Sequence, residues 1–175
     1  MKKKCLLHIC CAPCATQTIE CLNSEYSITG YFYNPNIEPL AEYNLRLDAL
    51  FKLNSIVNID LFIGDYDNRY WRKVIKGFEN DKEGGKRCEL CIDLRLKNAA
   101  YFASALKIKY YTTTLSISPY KNYELIKTLG EQYAKEYNIV FIAEDFKKNG
   151  GYKKSIELSK KYELYRQKYC GCKIQ

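Results

Sequence analysis

The chain has 175 residues, 47% of them hydrophobic, and 28 Lys and Arg against 20 Asp and Glu give it a net charge of +8. Such a length buries a proper core without disulfides, and no apolar run approaches the roughly 20 residues a membrane span needs. The positive excess favours a polyanionic partner, a nucleic acid among the possibilities, but does not by itself name one.

Met1-Lys2-Lys3-Lys4 leads into an apolar stretch too short for a signal peptide, cut by His8 and a cysteine pair. A cytoplasmic location is therefore expected, where thiols stay reduced and cysteine spacing points to metal or redox chemistry. Lys4 to Ile9 is predicted as a strand. Pro13 then suits the first turn of a helix that continues from Ala15 to Leu22. A second strand, Ser27 to Asn34, is closed by Asn34-Pro35-Asn36, and Leu40, Leu47, Leu50 and Phe51 mark an amphipathic helix. Strand Ile59 to Ile63 and helix Arg69 to Phe78 follow, then a polar break from Glu79 to Lys86. Beyond it come helix Leu90 to Leu106, strand Lys109 to Leu115, helix Tyr123 to Tyr137, strand Ile139 to Ala143 and helix Lys153 to Tyr165.

Five β segments separated by helices predict a single α/β domain over residues 1–175, a parallel doubly wound Rossmann-like sheet with a helical C-terminal extension. Sites on such sheets lie beyond the C-terminal strand ends. Cys10 to Cys14 occupies that position after the first strand; Asn34, Asp65 and Ser116 to Lys121 close later ones.

Seven of the nine cysteines fall in three clusters: Cys10, Cys11 and Cys14; Cys88 and Cys91; Cys170 and Cys172. One C-x-x-C is weak, but three tight clusters far apart in sequence point to a soft-ligand cofactor. Two of them sit at probable helix starts, where the dipole favours thiolate, and Gly171 lets the backbone bend around an ion. Cys5 and Cys21 have no neighbours in sequence and are expected to be core packing. His8 is the only histidine. That excludes zinc deaminases, H-E-x-x-H hydrolases and facial-triad oxygenases, and His8 is expected to be a hydrogen-bonded core residue.

Seven thiols exceed one four-coordinate site. Four for an iron–sulfur cluster and three for a second metal with an open position account for the number. Cys11, Cys88, Cys91 and Cys170 on the cluster, with Cys10, Cys14 and Cys172 on the lone metal, is one division; the spacing does not choose among several.

The chain resembles the QueH-type epoxyqueuosine reductases nearly end to end. H-I-C-C-A-P-C at 8–14, Y-F-Y-N-P-N-I at 31–37, R-C-E-L-C-I-D-L-R-L at 87–96, T-T-T-L at 112–115, S-P-Y-K at 118–121 and Y-R-Q-K-Y-C-G-C at 165–172 carry the resemblance. It implies a nucleotide-hydrolase-like α/β fold and a 4Fe-4S cluster relaying electrons to an adjacent mononuclear iron. It also implies reduction of epoxyqueuosine to queuosine at the tRNA wobble position. The partners are then tRNA and an external electron donor, protein or small reductant, with no membrane involved. Tyr33, Tyr120, Lys121 and Arg166 are candidates to protonate or hold the leaving oxygen. Arg87 and Arg95 are candidates for anticodon-loop phosphates, and Tyr31 for stacking on a splayed base.

Two other readings fit parts of the chain. A tRNA-modifying ATP pyrophosphatase or thiolation enzyme shares the fold class, but Cys-Cys-Ala-Pro-Cys replaces the Gly/Ser-rich phosphate loop it requires. A zinc-stabilised nucleic-acid-binding protein explains the charge and four cysteines, and leaves three unused.

Overall fold

A computed structural model describes residues 1–172. Its elements run β1 (Lys3–His8), α1 (Ala12–Leu22), β2 (Tyr26–Phe32), α2 (Leu40–Val57), β3 (Asp60–Ile63), α3 (Asn68–Val74), α4 (Lys86–Ala105), β4 (Tyr110–Thr113), α5 (Tyr123–Glu136), β5 (Val140–Phe141) and α6 (Gly151–Lys161). All strand pairings are parallel, in the order β3-β2-β1-β4-β5. This is the α/β, Rossmann-like architecture expected from the alternating pattern.

Strand alternation divides the core into two layers. Leu7 and Phe32 face Ala15, Ile19, Leu50 and Leu53 of α1 and α2. Their neighbours Leu6 and Tyr31 face Leu96, Ala99 and Ala103 of α4 and Ile126 and Tyr133 of α5. Successive side chains leave opposite faces of a strand, so the stretch Cys5-Leu6-Leu7 of β1, covered on both sides, is apolar at every position. Sequence order departs from β1 toward β2 and β3 on one side and toward β4 and β5 on the other. The crevice between β1 and β4 is thus the topological switch point, where ligands of such sheets bind.

The last helix stops four residues earlier than its apolar pattern suggests. Glu163 takes a left-handed conformation, φ 50°, and Leu164 N–H bonds the Ser159 carbonyl at 2.9 Å, a C-terminal motif that ends helices. From there the chain runs without regular structure to the final cysteines. α6 lies against α1, and Gly151 permits the tight turn that leads into it: a Cβ there would meet the Phe146 carbonyl oxygen at 1.9 Å. Gly151→Ala is expected to destabilise the protein by about 1–3 kcal/mol, read as a lowered thermal midpoint of the metal-free protein; an unchanged midpoint would mean the 146–151 turn relaxes freely.

Candidate metal centre

Each cysteine cluster is set by its own local structure. Cys10 and Cys11 leave the end of β1 at the switch point. Thr114, just past β4, ties the loop down: its hydroxyl accepts from Cys10 N–H at 2.9 Å and donates to Cys10 Sγ at 3.1 Å. Cys11 is the N-cap of α1, and its sulfur accepts from Cys14 N–H at 3.3 Å. Cys11 and Cys14 stand as a disulfide with Cα atoms 5.4 Å apart; once reduced, the same approach presents both sulfurs to one ion. The sulfurs of Cys10, Cys11 and Cys14 lie within 4.8 Å of one another, a group that could hold one metal ion.

The other four cysteines gather across the crevice. Cys88 and Cys91, on the first two turns of α4, share the lining of a narrow cavity with Cys170 and Cys172. The division expected from sequence paired Cys11 with α4 and Cys172 with the first loop; the structure sets Cys11 beside Cys10 and Cys14, and Cys172 beside Cys88 and Cys91. Free space among the four is about 10 Å³, well below the roughly 30 Å³ that one water occupies in the liquid.

That segment is held by buried charge. Arg46, 2% exposed, donates from Nη1 to the Cys170 carbonyl at 2.9 Å and from Nη2 to the Tyr169 carbonyl at 3.1 Å. Its Nε pairs with Glu42 at 2.8 Å, and Tyr165 donates to the other Glu42 oxygen at 2.7 Å. Gly171, with φ 133°, passes so close to Ile37 and Asn36 that a Cβ would lie 3.0 Å from the Ile37 side chain. Glu38 N–H donates to the Gly171 carbonyl at 2.8 Å, and the Tyr169 hydroxyl donates to the Glu38 carbonyl.

The electrostatics suit thiolates. A hydrogen bond from the Cys172 thiol, with Lys121 and Arg95 nearby, draws Cys170 well below the ordinary thiol value despite its burial; the Cys172 thiol is raised by that same bond and by burial. Burial pulls Lys121 down, but the Cys170 thiolate, with Cys88 and Glu83, outweighs it and keeps the amine protonated. Burial pushes Cys91 and Cys10 up, opposed in both by Arg95. Two buried N–H groups beside these sulfurs, Arg87 Nε and Arg95 Nε, have no protein hydrogen-bond partner among the described residues, and the Trp71 indole N–H is directed to Cys91. Four thiols ringed by donors without acceptors fit an anionic iron–sulfur cluster, whose sulfides accept such bonds. Three thiols in one loop, with Cys14 at the wall of a cavity, fit a metal with a free position.

That cavity, about 320 Å³, runs from Cys14 to Cys170 and is lined by Tyr120, Lys121, Tyr152, Arg166 and Tyr169. Three candidates named from sequence, Tyr120, Lys121 and Arg166, therefore come together. The others do not. Tyr33 is 6% exposed, stacked beside Tyr31, and does not line this cavity. Tyr31, 5% exposed, stacks on Phe102 and donates to Asn98, so it offers no ring to a base. Arg87 donates to the Glu79 carbonyl and Arg95 to Asn34, both within the interior; neither presents its guanidinium to a phosphate at the surface. His8 is fully buried, with Nδ1 2.8 Å from Thr113 Oγ1 and Nε2 3.0 Å from the Tyr33 carbonyl, which fixes the proton on Nε2. Burial, with Arg95, drops it to about 3 and keeps it neutral. Cys5 is core, as expected, but Cys21 is exposed on α1, accepting from Gln17 at 3.0 Å, because position 21 falls on the outer face of that helix. Arg46, Glu42 and Trp71 were not singled out from sequence, and Thr114 only as part of the T-T-T-L run; an internal Arg four residues after a Glu in an amphipathic helix was the visible sign for the first two.

No helix among the described residues is long and apolar enough to cross a membrane. Residues 5–174 match the family described as Epoxyqueuosine reductase QueH. Curated relatives of that name include proteins from Streptococcus pyogenes serotype M1, 41% identical over 95% of this chain and 68% of the relative, and from Acinetobacter baylyi, 40% identical over 97% and 78%. A relative of the same name from Thermotoga maritima is 37% identical over 95% of this chain and 87% of its own length. Agreement of this extent, on a sheet whose switch point gathers seven cysteines, leaves the pyrophosphatase and zinc-module readings behind: the chain belongs to the QueH family of epoxyqueuosine reductases and is an oxidoreductase.

Proposed function

We propose that the chain reduces the epoxide of epoxyqueuosine in tRNA to the alkene of queuosine, with Cys88, Cys91, Cys170 and Cys172 holding a 4Fe-4S cluster and Cys10, Cys11 and Cys14 holding a single iron. The observation that carries this reading is the convergence of all seven clustered cysteines on one crevice that opens into a cavity of one-nucleotide scale. The balance of the reaction is two electrons and two protons in and one water out, and when bound the metals supply single-electron transfer and Lewis acidity.

The protein's own residues supply the rest. The cavity admits the modified nucleotide only when it is turned out of its strand, as enzymes acting on a base require. Tyr120, 73% exposed at the rim, offers a ring for stacking. Lys121, protonated and bonded to Cys170, lines the cavity and can hold or deliver a proton at Nζ to the departing oxygen. Arg166, partly exposed on the same wall, is placed for a phosphate. Arg166→Ala is expected to weaken tRNA binding and to reduce the slope of log K against log salt by about 1; an unchanged slope removes Arg166 from the interface. Lys121→Met is expected to lower turnover by about 10²-fold, within the range of a lost general acid, with iron content retained.

The direct test is a single-turnover assay: chemically reduced, iron-loaded protein mixed with tRNA bearing epoxyqueuosine, with the nucleosides analysed by mass. Loss of one oxygen from the modified base supports the reading. Stoichiometrically loaded and reduced protein that leaves the base intact overturns it.

A further inference from the structure

Among the described residues Arg95 is a buried charge with no acid to answer it. It lies on α4 one turn beyond Cys91, so Cys88, Cys91 and Arg95, at i, i+3 and i+7, share one face of the helix. It is 3% exposed. The ion pairs among the described residues engage Arg46, Arg72 and several lysines, none of them this guanidinium. Its Nη2 donates to Asn34 Oδ1 at 2.7 Å, its Nη1 approaches Cys91 Sγ at 4.0 Å, and its Nε has no protein partner. A guanidinium does not shed its proton, and an isolated buried charge is costly. What surrounds it is sulfur: Cys91 and Cys170 from one ligand group and Cys10 from the other all act on it. Of the other cations near these sulfurs, Lys121 pairs with Glu83 at 3.3 Å and Arg87 donates to the Glu79 carbonyl.

We infer that Arg95 is a positioning residue for electron transfer: a fixed positive charge set between the two cysteine groups, held in place by Asn34, that favours the reduced state of the cluster. The inference rests on the cysteine assignment proposed above. When one electron enters from an external reductant, the cluster gains one negative charge, no bond is made or broken, and Arg95 keeps its proton. A cation in a dry site beside that cluster stabilises the more negative form, one of the means by which proteins raise a cluster's potential.

The test is a redox titration with dithionite on anaerobically loaded protein, followed by visible and electron paramagnetic resonance spectra. Wild type is compared with Arg95→Gln, which removes the charge, with Arg95→Lys, which keeps it, and with Asn34→Asp, which leaves the arginine and sets a carboxylate against it. Arg95→Gln and Asn34→Asp are both expected to shift the midpoint potential negative, while Arg95→Lys stays near wild type. Equal potentials in all four proteins at equal iron and sulfide content overturn the inference. If the two neutralised variants take up no cluster while Arg95→Lys loads normally, the charge is needed even for assembly and the inference stands. Failure of Arg95→Lys to load as well would assign Arg95 a purely steric role and overturn it. Wild-type protein that takes up no cluster refutes the cysteine assignment itself, a separate outcome.

Discussion

Replacing Cys170 by alanine is expected to strip iron and sulfide together and to abolish the visible absorbance, with turnover falling on the order of 10³-fold, the consequence of about 4 kcal/mol on the barrier. Cys170 stands at the junction of the two groups: it lines both the narrow cavity with Cys88, Cys91 and Cys172 and the larger one with Cys14. Cys14→Ala is expected to behave differently, losing about one iron, keeping sulfide and the cluster spectrum, and losing turnover to a similar extent. The pair of variants therefore tests the division of ligands as well as their importance. Iron and sulfide analysis of both gives the answer, and a Cys14 variant that loses all its sulfide would move the boundary between the two groups.

Arg46→Met is the other substitution with a large expected effect. Arg46 and Glu42 form a buried pair, 2% and 9% exposed at their side chains, and removal of the arginine strands the Glu42 carboxylate. Breaking one side of such a pair costs about 3–5 kcal/mol, a sizeable share of a domain's net stability. The loss reaches the metal site because the same guanidinium holds the backbone of Tyr169 and Cys170. Arg46→Met with Glu42→Leu should restore much of the stability by removing the stranded charge, yet still load iron poorly, since nothing then holds the Cys170 carbonyl. Urea unfolding of the metal-free proteins and iron uptake measured side by side separate the two effects. A double variant that loads as well as wild type would show that the C-terminal segment docks without Arg46.

Local order was legible and long-range convergence was not. Strand and helix positions followed from the alternation of apolar runs with amphipathic stretches, and the placement of Cys10 to Cys14 after β1 followed from the parallel sheet. The end of α6 was overextended because the turn at Glu163 depends on one backbone angle that glutamate does not advertise. The spatial grouping of the cysteines was beyond reach, since it depends on where the segment after α6 returns, and that is fixed by Arg46 on α2 and the passage of Gly171 over Ile37. Arg95 was visible but assigned to anticodon-loop phosphates. Its i, i+3, i+7 relation to Cys88 and Cys91 was the available sign that it faces the sulfurs, and an arginine is buried only where something anionic answers it. Tyr31 and Tyr33 followed the same course: strand alternation puts Tyr31 against α4, and aromatic residues on a central strand belong to the core.

The measurement that tests the central claim most directly is anaerobic purification with iron, sulfide and zinc quantification and the visible spectrum before and after dithionite. Brown protein with about five irons and four sulfides per chain, bleached on reduction, is the result that two adjacent centres require. Colourless protein carrying zinc and no sulfide would contradict it.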